Sequence, residues 1–350
     1  LRRQRQMCIR DRIRLLESFE KLNIRPLYEH CFSEDGKEFT DYYFSKCLPH
    51  NEVVVNEQDG KIVSALHLIP KNLVVGSLKT NVMYIYAVGT FAGYRNKGYM
   101  HEIFNEVLKK MYENMDAFTY LIPSDENNAA IYERFGFNYV MDKFEITPTE
   151  HRRKATHSLI LRKADNSDLV KLSIFAQSTA YNKYSVVVSK DVEYFKRIKE
   201  LIDVEGGHID IYVENKVIVG YRIWIDHEIF EEVLDSSIQS LSWESDVRKP
   251  YVMARIINIR KTLRMFEFKN IDEIVFKITD PILDENNGYF VMTQKHGSIK
   301  LEKKSEGDIE GEPDFDIGIG ELTAHIFGYK LIPGLPAVCR KDSFFINDYV

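Results

Sequence analysis

The sequence predicts an α+β fold in which a mixed, mostly antiparallel sheet is flanked by helices. Three observations support this prediction. Residues 52–88 hold apolar segments separated by turn residues, residues 98–140 alternate helical and strand patterns, and a helix-then-hairpin order returns after residue 158. A chain of 350 residues is long enough for two or three such domains.

The sequence of the first part of the chain predicts a helix followed by a meander of antiparallel strands. Pro49 ends the helix, and Gly-containing turns at residues 58–60 and 76–77 separate the strands into two hairpins. The predicted elements are a helix at 41–48 and strands at 52–55, 61–69 and 72–75, followed by a long strand that ends at Val88.

Helices and strands alternate in the next part. Ile103, Val107 and Met111 recur every four residues, which predicts a helix from Gly98 to about Asn114. The elements expected after it are a strand at 117–122, a helix at 127–135 closed by Gly136, and a strand at 137–140.

Residues 148–157 are polar and basic without interleaved aromatic residues, which indicates a linker. The second part then repeats the helix-then-hairpin order, and the last part is dominated by antiparallel strands. The expected elements are a strand at 159–161, helices at 165–178 and 191–202, a hairpin at 209–214 and 217–225, and strands at 272–278, 288–293, 298–303 and 315–319. The predicted domains are 13–148, 149–248 and 249–350.

Residues 1–12 are set apart from the fold because five arginines occur there and apolar periodicity begins only at Ile13. The segment resembles a translated sequencing-adaptor scar, with a basic arm and a targeting peptide as alternatives. A secretory signal would need an apolar run that this segment lacks. The native start is therefore expected to be missing.

Composition and charge narrow the possible function. With 47 basic and 53 acidic residues, the net charge of −6 disfavours nucleic acid or an anionic membrane as the main partner and favours a cationic substrate. Apolar stretches run only a few residues, whereas a membrane span needs about 20. The four cysteines have neither metal-site spacing nor disulfide density, so a cytoplasmic protein without a metal is expected.

The segment from Val88 to His101 predicts a phosphate-binding turn. A strand that ends in a glycine-containing loop and then a helix leaves backbone N–H groups without partners, and the helix dipole adds positive potential at the same point. The predicted cofactor-binding residues here are Val88, Gly89, Thr90, Arg95, Asn96, Lys97, Gly98, Tyr99, Met100 and His101. A simple strand-loop-helix turn is the alternative that spacing alone leaves open.

These residues resemble motif A of the GCN5-related N-acetyltransferase (GNAT) family, whose loop reads Arg-x-x-Gly-x-Gly/Ala. Residues 127–137 resemble the motif B run Ile-Tyr-x-Arg-Phe-Gly-Tyr of the Eis-like ("enhanced intracellular survival") acetyltransferases. The resemblance implies a GNAT domain, a degenerate GNAT-like domain and a sterol-carrier-protein-like domain. It also implies acetyl-coenzyme A as co-substrate, with Asn127 and Asn128 near it. Asn96 and Tyr99 depart from the family loop, which has a second basic residue and a small residue there.

The resemblance also implies catalytic roles for two residues. Tyr132 matches the family's general acid, and the terminal carboxylate of Val350 matches its general base. A proton donor suits a departing thiolate of pKa ~8.5, and a base is needed because a lysine-like amine of pKa ~10.4 is almost wholly protonated at neutral pH. Core packing of Tyr132 and purely structural docking of the tail are the alternatives.

The acceptor is expected to be a primary amine on an aminoglycoside, a polyamine or a lysine. Glu34, Asp35, Glu38 and Asp41 lie on the segment that borders the acceptor site in relatives, and solubilising a helix is their alternative role. Two other functions stay open: a lipid-binding protein that works through the last domain, and an acyltransferase with another donor. A homo-oligomer is possible.

Overall fold

The computed structural model describes residues 12–148, 159–236, 242–244, 247–268, 271–295, 298–336 and 342–347, and it confirms the predicted α+β class. Within these ranges the α-helices are α1 (Arg25–Cys31), α2 (Lys37–Tyr42), α3 (Tyr99–Glu113), α4 (Glu126–Glu133), α5 (Leu169–Lys183), α6 (Val192–Glu205), α7 (Ile259–Leu263) and α8 (Ile319–Ile326). The strands up to the middle of the chain are β1 (Arg12–Leu15), β2 (Glu52–Gln58), β3 (Lys61–Val75), β4 (Leu78–Thr90), β5 (Phe118–Leu121), β6 (Asn138–Lys143), β7 (Ile146–Pro148), β8 (Leu159–Lys163) and β9 (Tyr184–Val188). The remaining strands are β10 (Gly207–Glu214), β11 (Val217–Ile225), β12 (Glu228–Leu234), β13 (Ser242–Glu244), β14 (Lys249–Ile256), β15 (Glu273–Thr279), β16 (Gly288–Lys295), β17 (Ser298–Lys304), β18 (Phe315–Gly318) and β19 (Asp342–Phe345).

A central sheet collects strands from all three parts of the chain. Its order is β1-β2-β3-β4-β5-β14-β6, and β9 pairs with the far end of β3 and with β19. Strands β1 to β4 are antiparallel neighbours, whereas β4 and β5 are parallel. This mixed, mostly antiparallel sheet matches the prediction.

Strand β14 begins at residue 249, where the sequence placed the start of the third domain, yet it pairs with strands of the first domain. It pairs with β5 through Met253–Ile256 and with β6 on its other side, so β5 and β6 are not neighbours. The middle of the chain is therefore inserted between two strands of the first sheet. The division into domains remains a proposal, and this sheet contains strands from all three of its parts.

The predicted pair of hairpins is wrong in one respect, because residues 61–75 form a single strand. Pro70 does not interrupt β3, in which it pairs with Met83 of β4. On the opposite edge of β3, the pairing with β2 ends at Leu68 and the pairing with β9 begins at Leu73. Proline lacks an N–H donor, and a gap between two neighbouring strands tolerates that loss. The helix predicted at 41–48 is also different, since α2 ends at Tyr42 and continues as a π turn over Tyr43–Cys47.

The middle part of the chain forms a four-stranded antiparallel sheet in the order β12-β11-β10-β8. Helices α5 and α6 pack on it and bury Leu172, Phe195 and Ile198. That this part is a degenerate copy of the first domain remains a proposal. The predicted linker at 148–157 lies, apart from Pro148 at the end of β7, outside the described residues.

The last part forms a second four-stranded sheet in the order β17-β16-β15-β18, antiparallel except for β15 and β18. Helix α8 packs against β14 and β6, so this part contacts the first sheet directly. Among the described helices, none combines the length and the apolar character that crossing a membrane requires.

Helix α3 positions the site described next. Its inward face carries Ile103, Phe104, Val107, Leu108 and Met111, all of them buried. Full burial of one such side chain contributes about 1.5–3 kcal/mol, so this face fixes the helix firmly on the sheet.

Candidate active site

The C-terminal end of β4 is open on one side. Strand β4 pairs with β5 only through Tyr84 and Ile85, and the two strands separate beyond that point. Between the pairs Ala65–Gly89 and His67–Tyr86 the register with β3 shifts at a bulge, where Ala87 has a φ of 48°. Toward β5, the backbone of the predicted residues Val88, Gly89 and Thr90 therefore has no strand partner among the described residues.

Gly89 allows α1 to approach this strand end closely. A Cβ at Gly89 would lie 3.0 Å from Sγ of Cys31, which is too close for an unstrained contact. Thr90 is fixed from the other side, since its Oγ1 lies 2.8 Å from Oγ of Ser64. The strand end is held between α1 and β3 while its outer edge stays open.

The loop after β4 leads into a helix start without a capping side chain. Gly98 precedes α3 with a φ of 89°, and Asn96 has a φ of 61°; both values lie in the left-handed region. The first intrahelical bond runs from Glu102 N to Gly98 O, so the preceding N–H groups lack intrahelical acceptors. Asn tolerates a left-handed backbone better than most residues, which explains how Asn96 adopts this conformation.

The predicted basic residues of this loop have different surroundings. Arg95 donates from Nε to the carbonyl of Thr90 at 3.1 Å and so connects the loop to the strand end. The Lys97 ammonium is exposed and lies 5.1 Å from the ring centroid of Tyr94. The bulky Tyr99 lies beside the same ring, with centroids 6.2 Å apart, so its side chain packs on the loop.

Helix α4 begins at Glu126, and the predicted residues Asn127 and Asn128 lie in its first turn. Asp125 caps this helix by accepting from Asn128 N at 2.8 Å, and the Asn128 side chain donates to Oγ of Ser124 at 2.6 Å. The N–H of Asn128 is therefore already bonded within the chain. Asn127 is exposed.

Tyr132 lies on the inner face of α4, against α3. Its ring packs 5.7 Å from Phe104 and 6.2 Å from Phe137 between centroids, and both neighbours are buried. Burial raises the pKa of Tyr132 to about 12. Its hydroxyl makes no hydrogen bond to the described residues, which leaves it available to a ligand.

The helix starts and Tyr132 belong to one hydrophobic cluster. Phe135 of the α4 end stacks on Phe104 at 4.6 Å and lies 5.0 Å from the ring of His101, whose own side chain is exposed. Val88 and Met100 pack against the same cluster. The structure thus brings β4, the start of α3 and Tyr132 together.

A polar network on the other face of β4 was missed by the sequence analysis. Tyr28 donates from its hydroxyl to Asp35 at 2.6 Å. The hydroxyl oxygen of Tyr28 also lies 2.9 Å from the hydroxyl oxygen of Tyr86. Burial raises the pKa of Asp35. The spacing of Tyr84 and Tyr86 in the strand before Val88 was a usable signal, because alternate residues share one face.

The other predicted acidic residues differ from Asp35. Glu34 and Glu38 are exposed, and Asp41 contacts Arg25 at 2.5 Å, which lowers the pKa of Asp41. Glu205 ends α6, which packs against α2, the helix that carries Glu38. Burial raises the pKa of Glu205, and the charges of Asp226, Asp35 and Glu38 raise it further. Asp35, Glu38 and Glu205 form what we call the acidic rim.

The C-terminal segment is held by the middle part of the chain. The ammonium of Lys190 lies 2.8 Å from Glu231 and 3.3 Å from the carbonyl of Asn347, and both charged side chains are only 1% exposed. The side-chain amide of Asn347 donates to Phe230 O at 2.5 Å. Val350, the predicted base, lies outside the described residues.

No cluster of His, Cys, Asp and Glu side chains suited to a metal ion occurs within the described ranges. The predicted roles of the individual site residues stay predictions at this point.

Two family models match the sequence: an acetyltransferase (GNAT) domain over residues 12–140 and a sterol carrier protein domain over residues 259–338. No curated protein matches the chain.

Several solved structures share the fold over almost the whole chain. A protein of Enterococcus faecalis V583 described as a probable N-acyltransferase is 18% identical, with a TM-score of 0.73 over 92% of this chain and 90% of that chain. A GCN5-related N-acetyltransferase of Anabaena variabilis is 16% identical, with a TM-score of 0.71 over 90% of each chain. Eis1 of Mycobacterium abscessus is 12% identical, with a TM-score of 0.67 over 91% of this chain and 90% of that chain. At these identities the likeness shows the shared fold. The chain therefore contains a GNAT acetyltransferase domain followed by a sterol carrier protein domain, as its motifs predicted.

Proposed function

We propose that this chain is an acetyl-coenzyme A-dependent N-acetyltransferase that acts on primary amines by direct transfer. The observation that carries the proposal is the open end of β4 beside the uncapped start of α3, with Tyr132 in the same cluster and its hydroxyl unbonded to any residue that the structure describes. An acceptor such as an aminoglycoside, a polyamine or a lysine side chain suits the acidic rim.

The open strand edge and helix start fit the two ends of coenzyme A. Backbone groups of Val88–Thr90 can pair with an extended, amide-bearing chain, as an added strand would. The free N–H groups at the start of α3 suit a pyrophosphate, and the exposed ammonium of Lys97 adds positive charge nearby. Bound acetyl-coenzyme A would supply an acetyl group on a thioester sulfur.

Tyr132 is the proposed general acid. Because burial raises its pKa to about 12, the hydroxyl keeps its proton throughout the physiological pH range. It would donate to the sulfur while the C–S bond breaks and the new N–C bond to the amine forms. Since this pKa exceeds that of a thiol, ~8.5, most of its contribution is a hydrogen bond to the developing negative charge.

The terminal carboxylate of Val350 is the proposed general base, which takes the amine proton directly or through water. Strand β19 runs parallel to β9, which is antiparallel to β3, so the segment advances along β3 from Val75 toward His67. An extended chain rises about 3.3 Å per residue, so the residues after Phe345 are long enough to reach the level of Ile69 beside Tyr84.

The acceptor would bind on the Tyr86 face of β4. The acidic rim comes from two parts of the chain and places three carboxyl groups near one another, of which Asp35 and Glu205 are partly buried. A cationic amine would reduce the electrostatic repulsion among these carboxylates, since opposite charges at close range stabilise each other most strongly where water is partly excluded.

The first test is release of free thiol from acetyl-coenzyme A in the presence of a panel of primary amines. Myristoyl and aminoacyl donors, tested in parallel, separate the alternative acyltransferases. Tyr132→Phe should lower kcat by about 10²–10³-fold with little change in acetyl-coenzyme A affinity. Tyr112→Phe is the control, because that residue lies near the other end of α3. Absence of both binding and turnover in the wild type would refute the proposal.

The second test adds one residue after Val350, which moves the carboxylate and leaves the anchoring of Asn347 intact. A fall in kcat with unchanged thermal stability is expected. Full activity of the extended chain would remove the terminal carboxylate from the mechanism while leaving Tyr132 in place.

A further inference from the structure

A fully buried ion pair joins the loop after β15 to strand β14 of the central sheet. Arg255 of β14 donates from Nη2 to the two carboxylate oxygens of Asp280 at 2.6 and 2.7 Å, and neither side chain is exposed. Asp280 also accepts from the backbone N–H groups of Ile282 and Leu283 and from the side chain of Asn286. The carboxylate is therefore fixed by its own loop and holds the guanidinium in one orientation.

The other terminal nitrogen of Arg255 contacts the end of α4. Nη1 donates to the carbonyl of Phe135, three residues after Tyr132. The carbonyl of Tyr132 in turn accepts from the N–H groups of Phe135 and Phe137, so the turn that closes α4 begins at Tyr132 itself. A cation at this point also interacts favourably with the negative end of the helix dipole.

The packing around this contact leaves little freedom. A Cβ at Gly136 would lie 3.1 Å from Nη1 of Arg255 and 2.7 Å from Ile319 of α8. The φ of Gly136 is 81°, which only glycine adopts readily. The end of α4 is thus enclosed by the guanidinium on one side and by α8 on the other.

We propose that Arg255, oriented by Asp280, is a positioning residue for Tyr132. The inference rests on the proposed function, in which Tyr132 must point its hydroxyl at the acyl group. It extends that function by making the loop after β15, in the sterol carrier protein domain, part of the machinery that orients the acid. Loss of the Phe135 contact lets α4 shift relative to β4, and displacements of about 1 Å at a reacting group cost up to ~10²-fold in rate.

The test combines Arg255→Lys with Tyr132→Phe in a double-mutant cycle. Lysine keeps the charge but has a single terminal nitrogen, so it cannot contact both Asp280 and Phe135 as the guanidinium does. Arg255→Lys should lower kcat by about tenfold and leave the KM for acetyl-coenzyme A within about threefold. In the Tyr132→Phe background the same change should lower kcat by less than twofold, because the group it positions is absent.

Arg222→Lys is the matched control. Arg222 forms a comparable Arg–carboxylate pair with Glu232, at 7% and 8% exposure, on strands β11 and β12, which belong to a different sheet from β14. It should lower thermal stability to a similar degree without changing kcat. If Arg255→Lys does not fold, Asp280→Asn takes its place in the cycle, since it loosens the guanidinium while keeping an oxygen acceptor.

The outcomes separate this inference from the proposed function. If Tyr132→Phe lowers kcat and Arg255→Lys lowers it by the same factor in both backgrounds, Arg255 does not act through Tyr132 and the inference is overturned alone. An unchanged kcat in Arg255→Lys has the same meaning. Full activity of Tyr132→Phe overturns the assignment of the acid and, with it, this inference.

Discussion

Gly98→Ala measures how the loop before α3, the proposed cofactor-binding loop, depends on its backbone conformation. Gly98 has a φ of 89°, and no atom lies within 4 Å of the position that a Cβ would take. The substitution therefore creates no steric clash with neighbouring residues. Its cost is the left-handed conformation itself, about 1–2 kcal/mol for a residue with a side chain.

This conformational cost can lower the free energy of unfolding or weaken the binding of acetyl-coenzyme A, and measuring both quantities shows how it is divided. If the loop keeps its shape, the free energy of unfolding falls by about 1–2 kcal/mol and the Kd of acetyl-coenzyme A is unchanged. If the loop relaxes in the free protein, stability is retained and the Kd rises by about 5- to 30-fold, because binding must restore the shape. The two losses should add up to the same total.

Gly93→Ala is the control, since Gly93 also has open space around its Cβ position but no positive φ. It reports the stabilisation, about 0.4–1 kcal/mol, that follows from a less flexible unfolded chain. Urea denaturation and calorimetric titration with acetyl-coenzyme A give the two quantities for all three proteins. A Gly98→Ala protein that matches Gly93→Ala in both would refute the assigned role of the loop.

Two further predictions concern charged and titratable groups. Asp35→Asn should raise the KM of a diamine acceptor by about tenfold, whereas Asp41→Asn should have little effect because Arg25 already neutralises that carboxylate; equal effects in steady-state kinetics would contradict the assignment of Asp35. His67 is buried beside Tyr43, and burial lowers its pKa from 6.5 to about 3. Below pH 6.5 His67 is therefore protonated in the unfolded chain, whereas in the folded chain it stays neutral down to about pH 3. The free energy of unfolding consequently falls on acidification, by about 2 kcal/mol between pH 7 and 5. His67→Gln should remove this part of the pH dependence in urea denaturation, and an unchanged slope would show that another group is responsible.

The elements that the sequence predicted well are those whose signal is local. The α3 helix followed from the spacing of Ile103, Val107 and Met111, and all three are buried on one face. Gly136 closes the α4 turn with a φ of 81°, as its position after a helical pattern indicated. The predicted strands at 61–69 and 72–75 are one strand that runs through Pro70, because tolerance of a missing N–H depends on which strands end beside it, and that information is not local.

The same distinction applies to the candidate site. The loop before α3 and Tyr132 lie within motifs of a few residues, so the sequence could point to them. The contact of Tyr28 with Asp35 and Tyr86 joins residues up to 58 positions apart. No local spacing connects Tyr28 or Asp35 with Tyr86, so only the packing of α1 on the sheet brings these side chains together.

Strand β14 shows that a division of the sequence into consecutive domains does not match the division of the fold into sheets. The sequence placed only the start of the third domain here and predicted no strand, and an apolar pattern identifies neither the sheet nor the neighbours of a strand. In the folded chain β14 separates β5 from β6, and Arg255 within it contacts the end of α4. A fragment ending before residue 249 would leave two strand edges of the catalytic sheet unpaired and Phe135 without its guanidinium. The sterol carrier protein domain is consequently attached through a strand that the acetyltransferase domain needs, and loss of activity on its removal would follow from this shared strand even if that domain bound no lipid.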